Sequence, residues 1–298
     1  MFDTARLFRD ETESLMGALS ISPAPWWSEV PRVFSFELGD PVQIQLRLDA
    51  SFIAVIVRSH LPSMRTKLYG LLKHGGLDFA VATRCEALAK RFPEAPWTAK
   101  LAVTGGDVHA KLTLDHRLKY DDVGGAFEAL GLSPAMGERA AERLLTAVGV
   151  NTLRQITIAS GRPVRVELYA SRPPEPGGAT TTLDALGDRQ DLLEDPEFLM
   201  LRDVHSAISA YGRQRYTVGI DGAGVRSGLK VSYADVPVSA LTSAVAPLSQ
   251  APAMTTRRLK VSSQILGIQL PDHLSIRLRP ERPAHITVYF NRLYAQVA

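Results

Sequence analysis

Residues 153–171 read LRQITIASGRPVRVELYAS, two runs of the same rhythm around Ser160-Gly161-Arg162-Pro163. In the second run Val164, Val166 and Leu168 alternate with Arg165, Glu167 and Tyr169. A period of two places these sets on opposite faces of a strand. The Ser-Gly-Arg-Pro junction supplies turn chemistry. The stretch is therefore expected to be an antiparallel hairpin with one apolar face and one charged face.

The pattern returns along the chain. RVFSFELGDPVQIQLRLD (32–49) turns at Gly39-Asp40-Pro41, and AKLAVTGGDVHAKLTLDHR (99–117) turns at Thr104-Gly105-Gly106-Asp107. RYTVGIDGAGVRSGLKVSYAD (215–235) has a glycine-rich turn from Gly222 to Gly228. A looser fifth unit runs SSQILGIQL, PDHLSIRLRPERP, AHITVYFNRLY (262–294). Between these units the spacing becomes helical, over 62–92 with a break at Gly75-Gly76, over 121–149 with a break at Leu132-Ser133-Pro134, and over 182–211 and 236–258. Helices followed by a hairpin, five times over, make an internal repeat.

Each strand needs its apolar face covered, and the helices can supply the cover. In VQIQLRLD, Val42, Ile44, Leu46 and Leu48 oppose Gln43, Gln45, Arg47 and Asp49; in AHITVYFN, Ile286, Val288 and Phe290 oppose His285, Thr287, Tyr289 and Asn291. Two architectures satisfy this pattern. An open sheet would leave the polar faces to water. A ten-stranded sheet closed on itself would remove its edges and turn the polar faces into a lumen. The recurrence over five hairpins favours closure.

Composition narrows the function classes. A net charge of +3 over 298 residues, with Lys and Arg dispersed, gives no nucleic-acid footprint. Cys85 is the single cysteine, so the chain has no internal disulfide and no cysteine metal cluster. MFDTARLFRDETESL reads as an amphipathic helix rather than a signal peptide, and no run approaches the length of a membrane span. A cytoplasmic protein off the membrane is expected. The G-x-G within Gly222–Gly228 lies between two strands, which excludes a dinucleotide fingerprint. A phosphate-binding G-x-x-x-x-G-K-[ST], a nucleophile-elbow G-x-S-x-G and an H-E-x-x-H are all lacking.

A closed sheet would point Glu37, Arg47, Lys111, Arg165, Glu167, Tyr169, Lys230 and Tyr289 inward, with Arg277 and Arg279 from the last unit. Several cations on separate strands facing one chamber suit a polyanion such as a diphosphate. Tyrosine faces beside them can stabilise a cation. Each residue also has a plainer role, such as a Glu37–Arg47 salt bridge or pairing of Arg165 and Glu167 with neighbouring strands.

The repeat with its polar lumen resembles the ABBA-barrel prenyltransferases, most closely those that modify cyanobactins and related ribosomal peptides. KLTLDHRLKYDDVGGAF resembles the family's lysine-bearing strand and following helix; GRPVRVELYA is similar to its Arg-x-Glu-x-Tyr strand; SFELG resembles its acidic first strand. In that neighbourhood of the family's second basic residue this chain has Asp115 and Arg117, and Ser232 stands where a tyrosine is often found.

The resemblance implies one ABBA barrel over residues 1–298, an α+β fold of ten antiparallel strands in five hairpins inside a ring of helices. It implies Glu37 as the group that orients the acceptor and takes its proton. It places Arg47, Lys111, Arg117, Arg165, Tyr169, Lys230, Arg277 and Tyr289 on the diphosphate, and Glu167, Thr217, Gly219 and Ser232 around the isoprene and acceptor. No residue is expected to ligate a metal; Mg2+ would ride on the diphosphate, since no DDxxD motif exists. The expected reaction moves a dimethylallyl or geranyl group onto a peptide side chain, in a monomer. The alternatives are a small phenol or indole acceptor, a non-catalytic barrel for an anionic ligand, and an open-sheet structural protein.

Overall fold

A computed structural model describes residues 4–22, 41–49, 52–59, 79–104, 107–114, 117–159, 165–173, 180–189, 191–221, 224–279 and 282–293. Its helices are α1 (Thr4–Ala18), α2 (Phe79–Arg91), α3 (Tyr120–Ala129), α4 (Pro134–Val148), α5 (Thr181–Asp188), α6 (Pro196–Ile208), α7 (Val238–Val245) and α8 (Pro252–Leu266). The strands are β1 (Pro41–Arg47), β2 (Phe52–Ser59), β3 (Trp97–Thr104), β4 (Asp107–Leu114), β5 (Leu118–Lys119), β6 (Thr152–Leu153), β7 (Gln155–Ala159), β8 (Arg165–Arg172), β9 (Gln214–Asp221), β10 (Gly224–Ala234), β11 (His273–Arg279) and β12 (Arg282–Leu293).

All the strand pairs are antiparallel. They follow the order β1-β12-β11-β10-β9-β8-β7-β4-β3-β2, and β2 returns to β1, so the sheet curls until its first and last hairpins meet. The short strands β5 and β6 form a separate pair.

Alternation decides which side of this sheet meets the helices. Val42, Ile44, Leu46, Val166, Leu168, Leu229, Val231, Ile276, Ile286 and Val288 are buried in the continuous apolar core on the outer face of the sheet. The helices that cover them begin and end where local chemistry dictates. Pro134 starts α4 after Ser133, and Gly149 ends it at φ 72°, a left-handed position that favours glycine. Its Ala140, Ala141, Leu144, Leu145 and Val148 face the core, and it packs on β8, β9 and β10. The Asp195 side chain caps α6, accepting from the backbone N–H groups of Glu197 (2.8 Å) and Phe198 (3.3 Å). Gly137 lets α4 approach α3 closely, for a Cβ there would lie 2.4 Å from the Phe127 ring.

Three expectations need correction. The hairpin partner of β1 is β2, FIAVIVRS, which the sequence reading did not assign, and residues 32–40 lie outside the described residues. On β2 the face opposite the core carries Phe52, Ala54 and Ile56, so both faces are apolar and no alternation shows. The segment SSQILGIQL is no strand. Ser262–Leu266 is the last turn of α8, stopped by Gly267 at φ 64°. The fourth turn is tighter than expected, since β10 resumes at Gly224; Gly228 sits in a bulge between Arg226 and Leu229. Of the helix pair expected over 62–92, α2 is present, and residues 60–78 lie outside the described residues.

Candidate active site

The polar parity of the strands encloses a cavity of about 320 Å³. Gln43 and Gln45 come from β1, Thr113 from β4, Gln155 and Thr157 from β7, Glu167 and Tyr169 from β8, Lys230 from β10, and His273 and Tyr289 from β11 and β12. Ile56 gives this wall an apolar patch.

At the centre lies a chain of three groups. Arg277 Nη2 donates to Glu167 Oε1 at 2.6 Å, and the Tyr169 hydroxyl donates to Glu167 Oε2 at 2.6 Å. Burial disfavours the Arg277 charge, but the Glu167 carboxylate outweighs it and holds the guanidinium pKa above its ordinary value. Burial, then the Glu167 charge, pushes the Tyr169 hydroxyl well above the ordinary tyrosine range. Burial also raises Tyr289, to about 12. Both phenols therefore stay protonated at neutral pH.

Lys230 Nζ projects between these tyrosines, 5.3 Å from the Tyr169 ring centroid and 5.9 Å from that of Tyr289. Tyr289 stacks on His273, with centroids 3.8 Å apart and planes 16° apart. His273 Nδ1 lies 2.5 Å from Asp272 Oδ2, and Asp272 also accepts from Gln43 (2.9 Å) and Asn291 (2.6 Å). Burial lowers His273 to about 4 despite the pull of Asp272, so a neutral ring N–H donates here. The contact is not an ion pair at neutral pH.

Among the described residues, Gln45 Oε1, Thr98 Oγ1 and Thr217 Oγ1 are buried oxygens on the inward face with no hydrogen-bond partner. Each such group costs about 1–3 kcal/mol when left unmet, which favours a ligand or water that meets it.

Of the expected residues, the structure brings Glu167, Tyr169, Lys230, Arg277 and Tyr289 together. Thr217 and Gly219 lie on the same face of β9, opposite Tyr169 and Glu167, and a Cβ on Gly219 would meet open space. Ser232 bonds Ser275 at 2.7 Å and faces an adjoining chamber of about 510 Å³ that shares Arg215, Asp272 and His273 with the central cavity. Arg47 sits at the hairpin-turn end of β1, bonded to Asp49. Arg165 is exposed at the turn end of β8. The Lys111 backbone pairs with Lys100 and Ala159. Glu37 lies outside the described residues.

Arg117 is exposed beside β5 and lines a cleft with Asn151 that shares Arg154 with the central cavity, the chain having left the curled sheet after β4. The sequence reading also passed over Arg154, Gln155, Arg215, Asp272 and His273. Arg215 and His273 share strand parity with Thr217 and Arg277, so period two carried to the strand ends would have found them.

Cys85 is buried on α2, and burial followed by the Glu86 charge pushes its thiol up to about 12. Among the described residues no cluster of three His, Cys, Asp or Glu could hold a metal, and no helix is long and apolar enough to cross a membrane.

No family model and no curated protein matches the chain in sequence. Solved structures do match in fold. Prenyltransferase PriB superposes with a TM-score of 0.68 at 13% identity, covering 99% of this chain and 98% of that one. The 5-dimethylallyltryptophan synthase from Streptomyces coelicolor gives 0.66 at 10% identity, covering 99% of both chains. AnaPT from Neosartorya fischeri gives 0.55 at 10%, covering 85% and 77%. PriB has also been solved with L-tryptophan and dimethylallyl thiolodiphosphate. This chain has the mixed helix and curled-sheet fold of those prenyltransferases.

Proposed function

We propose that this chain is a prenyltransferase that moves an isoprenyl group from its diphosphate onto a small aromatic acceptor. One observation carries the reading: the cavity on the polar face of the sheet sets an ammonium group beside two protonated tyrosine faces. That combination serves both halves of an ionising allylic diphosphate. A cation takes up charge on the leaving group, and π-faces stabilise the allylic carbon.

In this reading Lys230 binds the diphosphate as the allylic C–O bond breaks, and the bonding pair leaves with the diphosphate. Lys111, Arg47 and Arg165 would add charge from the turn end. Tyr169 and Tyr289 cover the cation and keep water from it. A nucleophilic atom of the acceptor forms the new bond, and its proton departs to a base, for which Glu37 is the candidate by resemblance. Glu167 is unsuited to that task, because both of its oxygens already accept bonds from Arg277 and Tyr169. Thr217 and Gly219 leave room beside the cage for a dimethylallyl or geranyl chain.

The acceptor differs from the peptide expected first. Gln45 Oε1 faces the cavity without a partner among the described residues and can accept from an indole N–H or a phenol O–H. The fold neighbours that act on or hold tryptophan favour the same choice.

Magnesium is not given a cage by the residues described. Glu167 and Asp272 are the carboxylates of the cavity, and both are engaged by neighbours. Mg2+ would arrive on the diphosphate. The reading is tested with dimethylallyl and geranyl diphosphates against tryptophan, indole, simple phenols and cyclic peptides, scored by mass spectrometry. Adducts confined to peptides would overturn the choice of acceptor.

A further inference from the structure

The two tyrosines around Lys230 are each buttressed separately. Tyr169 is tied through its hydroxyl to Glu167, which Arg277 holds in turn. Tyr289 stacks on His273, which Asp272 holds, and Gln43 and Asn291 hold Asp272. The cage walls are fixed by two chains of contacts, one running from β8 to β11 and the other joining β1, β11 and β12. Their occupant is a long, flexible side chain whose ammonium can reach several positions.

We infer that the two-tyrosine cage is a site for a soft organic cation, and that Lys230 is its resident occupant, which a bound diphosphate draws out. A charge-assisted contact with phosphate oxygens is shorter and stronger than the ring contacts Lys230 makes here. Seating a diphosphate therefore pulls Nζ off the rings. The donor then both empties the cage and supplies, on its own tether, the carbon that fills it. A cage plugged until the diphosphate is seated ties exposure of the π-faces to occupancy of the leaving-group site. The natural occupant rests on the prenyl-transfer reading; the cage and its plug rest on the ring geometry alone.

The test measures binding, not turnover, so failure to find an acceptor leaves it unaffected. Tetramethylammonium and inorganic pyrophosphate are titrated into the full-length chain separately and together. Coupling between two sites is reciprocal, so each probe must tighten the other by the same factor. The expected result is tetramethylammonium binding tightened on the order of 10-fold by saturating pyrophosphate. Lys230→Met should bind tetramethylammonium without pyrophosphate, with most of the coupling gone. An unchanged affinity in the wild type overturns the inference. So does equal coupling in Lys230→Met, which would mean that the two probes attract one another directly. Should that variant fold poorly, wild-type NMR decides: the Lys230 ε-methylene protons, shifted upfield by the rings, must return toward ordinary values when pyrophosphate is added. Protons that stay shifted refute displacement.

Discussion

Replacing Arg277 by Met removes one partner of a buried ion pair and leaves the other in place. The Glu167 side chain is 7% exposed and that of Arg277 is 22% exposed. Stranding a buried charge in this way costs about 3–5 kcal/mol. An unfolding entropy of about 2.1 cal/mol/K per residue over this chain turns that into a Tm lower by about 5–8 °C. The loss should depend on pH with a definite sign. Without the guanidinium, burial raises the folded-state pKa of Glu167 above its unfolded value near 4.3. Such a carboxyl is relatively favourable to folding below its unfolded pKa and unfavourable as pH rises through the folded pKa. The deficit is therefore largest at pH 8 and shrinks toward pH 5. Adding Glu167→Gln, which removes the charge yet still accepts from Tyr169, should restore about 2 kcal/mol or more. Urea unfolding followed by tryptophan fluorescence at both pH values supplies the free energies, and a thermal melt supplies the Tm. A loss below about 1 kcal/mol at pH 8, equal at pH 5 and unrelieved by the second change, contradicts an ion-pair lock.

Other perturbations give separate readouts. Tyr169→Phe removes a hydrogen bond to a charged acceptor, so it should cost about 1.5–3 kcal/mol of stability while leaving pyrophosphate affinity within about 3-fold, because the ring remains beside Lys230. Burial holds His273 down to about 4, so stability should be present above pH 6.5 and fall by up to about 3 kcal/mol as pH drops through 4; His273→Asn flattens that slope, and an NMR titration midpoint near 6.5 would contradict it. Gly219→Ile adds a side chain where a Cβ meets nothing within 4 Å, so the fold should tolerate it while geranyl transfer falls more than dimethylallyl transfer in donor competition. An unchanged donor ratio would remove Gly219 from the isoprene wall.

Much of this arrangement was legible because one face of most strands is polar. Glu167 and Tyr169 on β8 and Lys230 on β10 announced their side of the sheet by parity alone, and the structure gathers them, while Arg165 stays exposed at the turn end. The strand β2 was illegible for the converse reason: Phe52, Ala54 and Ile56 make its inner face apolar too, and period two vanishes. Arg117 follows β4 closely in sequence, but the chain has already left the curled sheet there, so strand parity says nothing of where its side chain points. Arg277 looked like a free anion-binding cation, yet its partner Glu167 lies 110 positions away, a pairing no local pattern encodes.

The most direct measurement is mass spectrometry of the purified chain incubated with magnesium, dimethylallyl or geranyl diphosphate, and a panel of tryptophan, indole, phenols and cyclic peptides. The account predicts one isoprenyl unit added to a small aromatic acceptor, with loss of at least about 100-fold in Lys230→Met, since a charged contact to the leaving group acts in the transition state. Diphosphate binding without an adduct on any acceptor, or an adduct formed equally well by Lys230→Met, would contradict it.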